Sequence, residues 1–260
     1  MSGNTPFRDV VKFNFTTSQI NIYWGINKEE IFKQKREKNN FLRLLKKHLK
    51  DQDIEIYAYV IMSTHFHILI HVDLKLLSHF MASVLAEFAE YYNYKHNRNG
   101  HVFQDRFCSE CVETEQYFWN CLRYIHMNPV HAKIAKNPVN YQFSSLKEYA
   151  AEKDHIIHPK AIKLYKSKFG DFEESLEFHD RGQKQVFIDV PGEVEAQRSR
   201  AALIYLNQEA NRKNLEEPRI ILEDKNLREE YKALLQQELK ISKAETERLY
   251  RGVKSCIINK

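Results

Sequence analysis

No stretch of this sequence stays apolar for the ~20 residues needed to span a bilayer, and the amino terminus, MSGNTPFRDV, carries neither a hydrophobic run nor a cleavage-like site. The reading is therefore of a cytoplasmic protein with no membrane partner. Glycine (7) and proline (6) are scarce while aromatics make up 12%, which excludes collagen-like, low-complexity and fully disordered chains. The four cysteines of such a protein would stay reduced, as thiols. Cys108 and Cys111 form a CxxC, but Cys121 and Cys256 do not supply the second pair that a zinc site needs. A large excess of one charge is missing too: 40 Lys and Arg against 35 Asp and Glu leave a formal net charge of +5. So mild a balance permits a polyanionic partner without requiring one.

What is present is enough apolar material, 43% of 260 residues, to build a core in one large or two modest domains. The first 150 residues alternate between two periods. Val10 to Phe15 reads as a strand and Lys28 to Lys50 as a helix with Ile31, Phe32, Phe41, Leu42, Leu45 and Leu49 on its apolar face. Two strands follow, Ile54 to Ile61 and His65 to Val72, close enough to form a hairpin. Leu74 to Tyr94 returns to helical spacing, a short strand fits around Arg106 to Val112, and Thr114 reads as the N-cap of a helix running to about Met127, ended or kinked by Pro129. The order β-α-β-β-α-β plus a helix is the ferredoxin-like succession, an α+β fold with an antiparallel sheet.

Beyond Tyr149 the pattern changes. The expected division is a first domain over 1–150, a linker or irregular extension over 151–193, and a mainly helical C-terminal region over 194–260. The last part reads as a helix from Leu227 to Gln237, a tight connection at Leu239-Lys240-Ile241, and a helix opened by Ser242 with Glu245 three residues on, a capping box. With Lys243, Arg248, Arg251 and Lys254 on the second helix, this is either a helix-turn-helix or a helical hairpin with solvated charges.

The feature that points to chemistry is Thr64-His65-Phe66-His67-Ile68-Leu69-Ile70. On a strand His65 and His67 share one side, and Phe66, Ile68, Ile70 and Val72 the other, apolar and buried side. The two imidazoles are then about 7 Å apart at Cα, from where both reach one divalent cation. On the following helix Phe118, Leu122 and Ile125 make one apolar stripe, while Tyr117, Tyr124 and Asn128 fall elsewhere. Tyr124 and Asn128 are one turn apart. If that side faces the histidines, His65, His67 and Asn128 make a three-ligand cluster beside a phenol.

Those groups suit attack of a tyrosine on a phosphodiester. A phenol with pKa near 10 is ionised in about one molecule in a thousand at pH 7, a handicap of roughly 4 kcal/mol, and a cation on the scissile phosphate would offset it. The phosphotyrosine ester is reversible, so strands are cut and joined without ATP. Spacing does not choose between Tyr117 and Tyr124, seven residues apart; the adjacency of Asn128 favours Tyr124.

The runs AYVIMSTHFHILIHV, GHVFQDRFCSE and LRYIHMNPVHAKIAKNP, followed by YQFSSLKEY, resemble the single-tyrosine HUH transposases, in particular the REP-associated, IS200-like branch. The resemblance covers about residues 8 to 150. It implies a ferredoxin-like catalytic domain that binds single-stranded DNA beside a hairpin and cuts it with Tyr124, leaving a 5′-phosphotyrosine link and a free 3′-OH. Mg²⁺ or Mn²⁺ would be held by His65, His67 and Asn128, and a homodimer is one arrangement it allows. The sequence departs from the family pattern at Ser63-Thr64, where Pro-Asn is common, at Phe143, where Trp is usual before Ser144-Ser145, and at Cys108, where a basic residue is frequent. None of these removes a catalytic group.

Two other readings compete. A non-catalytic DNA-binding regulator on the same fold would bind with EDTA present and be indifferent to Tyr124→Phe, yet has no need of His65, His67, Tyr124 and Asn128 together. A relaxase of the wider HUH class usually carries larger ancillary domains than 260 residues accommodate.

Overall fold

The computed structural model describes residues 18–24, 29–103, 108–151, 156–182, 184–187 and 191–258. The chain folds as two units, one of residues 1–125 and 142–162, the other of 126–141 and 163–260.

In the first unit the order is β1 (Ser18–Trp24), α1 (Lys35–Leu49), β2 (Glu55–Ile61), β3 (His65–His71), α2 (Leu74–His96), β4 (Cys108–Val112) and the start of α3 (Glu115–His131). The four strands form one sheet in the order β2-β3-β1-β4, every pairing antiparallel. Each βαβ crossover thus brackets a strand from the other, which is the ferredoxin-like α+β arrangement expected from the sequence. The expected strand at Val10 to Phe15 lies outside the described residues. The strand that pairs is Ser18–Trp24, at the centre of the sheet; its polar Gln19 and Asn21 hid it from a search for β-branched and aromatic runs.

One face of the sheet is closed by aromatic packing. Phe66 on β3 lies 4.5 Å from the Phe41 ring of α1 and 6.0 Å from Phe32, and Phe88 of α2 completes the cluster at 4.9 Å from Phe32. Burying one such side chain stabilises by about 1.5–3 kcal/mol. Ile31 and Phe32, expected within the first helix, instead sit in the turn before it and are fully buried. The Phe32 amide donates to the Ser63 carbonyl at 2.9 Å, which ties that turn to the β2–β3 connection.

The outer edge of β2 is covered. The Ile61 amide donates to the Phe143 carbonyl at 2.9 Å and the Ser145 amide to the Tyr59 carbonyl at 3.0 Å, and the Tyr59 amide donates to Ser145 Oγ at 2.9 Å. Residues 143–145 therefore satisfy an edge that would otherwise expose unpaired main-chain groups. The short helix α4 (Leu146–Ala150) follows.

One strand departs from simple alternation and two expectations need correction. Tyr57 and Tyr59, two residues apart on β2, do not share a face, because a bulge between Ile56 and Ala58 shifts the register. Tyr57 packs on His71 and Phe118, while Tyr59 pairs opposite Ile68. Pro129 does not end α3, which continues to His131. Within 151–193, taken as irregular, lie α5 (Pro159–Phe169) and α6 (Phe172–Asp180). Each is too short for its periodicity to stand out among charges, although the Asp171 carboxylate caps α6 through the Glu174 amide at 2.8 Å.

The second unit is helical. After α5 and α6 come α7 (Pro191–Arg212), α8 (Arg219–Glu223), α9 (Lys225–Leu239) and α10 (Lys243–Ile258). The last four share a core of Ala201, Ala202, Leu206, Ile221, Leu222, Tyr231, Leu235, Ile241, Tyr250 and Val253. Among the described residues no helix is long and apolar enough to cross a membrane.

Candidate active site

β3 is an interior strand, and His67 at its centre lies opposite Val60 on β2 and Ile22 on β1. The expectation that only the apolar face would be buried is half right. The Phe66 face is covered by α1 and α2, but the histidine face is covered as well: His65 is 4% exposed and His67 0%. The cover includes the first three turns of α3. Thr114 opens that helix, its Oγ1 accepting from the Tyr117 amide at 3.1 Å, and Phe118 then meets Tyr57 at 5.5 Å. Six residues further on, the Tyr124 ring sits 5.5 Å from His67 at 77°.

Three of the four residues singled out from the sequence therefore meet. The His65 and His67 rings are 4.9 Å apart, edge to face, and Tyr124 is against His67. Asn128 is 2% exposed and lies one helical turn beyond Tyr124 on α3, past the point where that helix passes from the first unit into the second.

Burial sets the protonation of the pair. Desolvation pushes the His65 imidazole down to about 4 and His67 well below its ordinary value, with the neighbouring His65 adding to the effect. Both are neutral at pH 7 and offer lone pairs rather than charge. Thr64 Oγ1 lies 2.9 Å from His65 Nδ1, so the ring is held through one nitrogen and Nε2 is the one that would coordinate. Sequence reasoning missed this role for Thr64, although a hydroxyl next to a candidate ligand is a readable signal.

The rival phenol sits differently. Tyr117 is pushed up from its ordinary pKa by burial and then by the Glu110 carboxylate beside its hydroxyl, which opposes ionisation. Tyr124 is 1% exposed, so its ring is covered from solvent. The third histidine of the strand, His71, is engaged elsewhere: its Nδ1 is 3.6 Å from Glu55, which also pairs with Lys160 and accepts from the Tyr57 hydroxyl. Among the described residues no group of three or more His, Cys, Asp or Glu is placed to hold a metal ion; the donors assembled here are two imidazoles, and the expected third is an amide.

Residues 15–128 match the family model described as "Transposase IS200 like". Over this part the chain is similar to the IS200-like transposases. The match runs through β1 to α3 and takes in His65, His67, Tyr124 and, as its last residue, Asn128. The chain is also similar to a solved structure described as a REP-associated tyrosine transposase bound to a REP hairpin, with 16% identity and a TM-score of 0.43, covering 62% of this chain and 96% of that one. No curated protein matches the chain.

A second pair of histidines, near the end of the matched region, is structural. His126 Nδ1 lies 2.9 Å from His179 Nε2, and His179 Nδ1 lies 2.6 Å from the Ser175 carbonyl. A carbonyl only accepts, so His179 donates through Nδ1 and accepts through Nε2, and His126 is the donor between the rings. Burial pushes His126 well down in pKa, and the pair is a neutral clamp between α3 and α6.

Proposed function

We propose that this chain is a metal-dependent transposase that cleaves and rejoins single-stranded DNA beside hairpins through a covalent 5′-phosphotyrosine intermediate, with Tyr124 as the nucleophile. The observation that carries the reading is the packing of the Tyr124 ring on His67, itself against His65, in a region that matches the IS200-like transposase family model. A buried pair of neutral imidazoles next to a phenol is costly to fold around, and a pure binding surface has no use for it.

The donor set fits Mg²⁺ or Mn²⁺. Metal ligands must be unprotonated, a state that burial secures for His65 and His67, and Asn128 brings an amide oxygen one turn from Tyr124. These three would hold the ion, which when bound supplies charge neutralisation and orientation at the scissile phosphate. The chain's own residues do the rest. Thr64 fixes the His65 ring, His67 packs edge to face against the phenol and sets its position, and burial excludes the water that would compete as nucleophile. The Tyr124 hydroxyl attacks phosphorus and gives up its proton; the bond to the 3′ oxygen breaks, and that oxygen takes up a proton. The 5′ phosphate stays on the tyrosine until a hydroxyl of another strand end displaces it and restores the phenol. Entry of the strand has to precede chemistry, because Tyr124 is covered. A cytoplasmic enzyme, acting alone or as a homodimer, is consistent with this chemistry.

The test uses a 3′-labelled, hairpin-bearing single strand taken from the DNA flanking the coding region. The label is expected to travel with the protein on a denaturing gel in Mn²⁺ or Mg²⁺, to be absent in EDTA and in Tyr124→Phe, and to persist in Tyr117→Phe. An adduct in Tyr124→Phe, or one lost only in Tyr117→Phe, overturns the assignment.

A further inference from the structure

Outside the matched region, α9 and α10 carry a second feature. They are joined by only three residues, and Lys240 takes the left-handed conformation there (φ 50°, ψ 46°), a turn position that usually favours glycine. Ser242 and Glu245 then form the expected capping box: the Ser242 amide donates to Glu245 Oε2 at 3.0 Å and the Glu245 amide to Ser242 Oγ at 3.3 Å. This fixes where α10 begins and its direction of departure.

The rear of α10 is anchored. Thr246, Leu249, Tyr250 and Val253 are buried at helical spacing, the Tyr250 hydroxyl donates to the Leu222 carbonyl at 3.0 Å, and the Tyr231 hydroxyl of α9 donates to Ala202 of α7 at 2.7 Å. The front is solvated and basic. Lys243, Arg248 and Arg251 are exposed and Lys254 half-exposed, against Glu245 and Glu247. Two of these cations have only long contacts to carboxylates, Arg248 to Glu195 at 3.5 Å and Arg251 to Glu247 at 3.6 Å, with side chains 68% and 76% exposed. Such pairs are worth little in water and exchange readily for phosphates.

We infer that α9 and α10 form a helix-turn-helix that lays α10 in the major groove of duplex DNA, a second nucleic-acid site distinct from the single-strand chemistry of the first unit. A tight helix pair whose second member is braced from behind and basic in front fits a groove about 12 Å wide, with the first residues of α10, among them Lys243 and Ala244, at the base edges. A single-strand surface would need exposed aromatics on which bases stack, and the solvated face of α10 has none; its one aromatic, Tyr250, is buried. A protein partner would need exposed apolar anchors, also missing from this face.

The test uses the full-length protein in EDTA, with fluorescence anisotropy on a labelled random-sequence 30-bp duplex across a salt series. The triple variant Arg248→Ala, Arg251→Ala, Lys254→Ala should bind at least tenfold more weakly, with the slope of log affinity against log salt smaller by about 3. Its helical circular dichroism should be unchanged, and the charge reversal Arg251→Glu should weaken binding on its own. A control triple on α5, Lys163→Ala, Lys166→Ala, Lys168→Ala, should leave duplex binding intact. No duplex binding by the parent, equal losses in the two triples, or a loss confined to a single-stranded probe would each overturn the inference. Adduct formation by the α10 triple is read separately, so a failed cleavage mechanism is not mistaken for a failed duplex site.

Discussion

In the four-stranded sheet, His65 and His67 are buried ring against ring beneath α3. In the α7–α10 cluster, by contrast, the buried phenol hydroxyls of Tyr231 and Tyr250 each donate to a main-chain carbonyl. The second pattern is what a core needs for stability: apolar bulk, with the leftover polar atom satisfied. The first works against stability whenever the imidazoles would prefer to be charged. Buried titratable groups with displaced pKa values mark sites of chemistry more often than sites of packing, and this contrast is what singles out the histidine face of the sheet as the candidate site.

The comparison can be broken most decisively at His67. In His67→Leu the sheet loses a buried imidazole and gains an apolar side chain of similar size. Adduct formation should fall by about 100- to 1000-fold, in line with the several kcal/mol that metal charge stabilisation is worth, while the urea midpoint at pH 7 stays level or rises. A matched loss of stability and activity would make His67 a packing residue.

Acid sharpens the same contrast. In the unfolded chain His65 binds a proton as the pH falls through its ordinary 6.5, but in the folded protein only near 4. Between those values the unfolded state holds more protons, so stability drops as pH is lowered, by about 3 kcal/mol for this residue alone at 1.36 kcal/mol per unit. Urea titrations at pH 7 and pH 4.5 should differ for the parent protein and differ less for His65→Leu. An unchanged pH dependence in that variant would mean His65 is already protonated when folded.

The smallest effect belongs to the helical cluster. Ser242→Ala removes the hydroxyl of the α10 capping box and should cost about 1 kcal/mol, measured as a shift in the urea midpoint, with adduct formation untouched. A loss of adduct formation beyond that shift would tie the cap to the chemistry.

Much of this was legible in the sequence where local pattern and tertiary environment agree. The strand-helix alternation gave the sheet its connectivity, His-x-His placed two imidazoles on one side, and the tyrosine and asparagine at i and i+4 fell on one turn of α3. What escaped was decided by non-local structure. The bulge at Ile56/Ala58 sends Tyr57 to the histidine face and leaves Tyr59 on the other. The central strand, with Gln19 and Asn21, looks too polar for its position because its pairing on both sides is invisible to a periodicity argument. The burial of the histidine face depends on α3 folding back over it, which no spacing within β3 could have told.

The most direct measurement is the position of the DNA on the protein. Trypsin cuts after Arg123, which sends Tyr117 and Tyr124 into different peptides. Nuclease-trimmed adduct, digested and sequenced by mass spectrometry, should carry its nucleotide phosphate on Tyr124 in the peptide that begins there. A phosphate found on Tyr117, or on any residue other than Tyr124, would contradict the account.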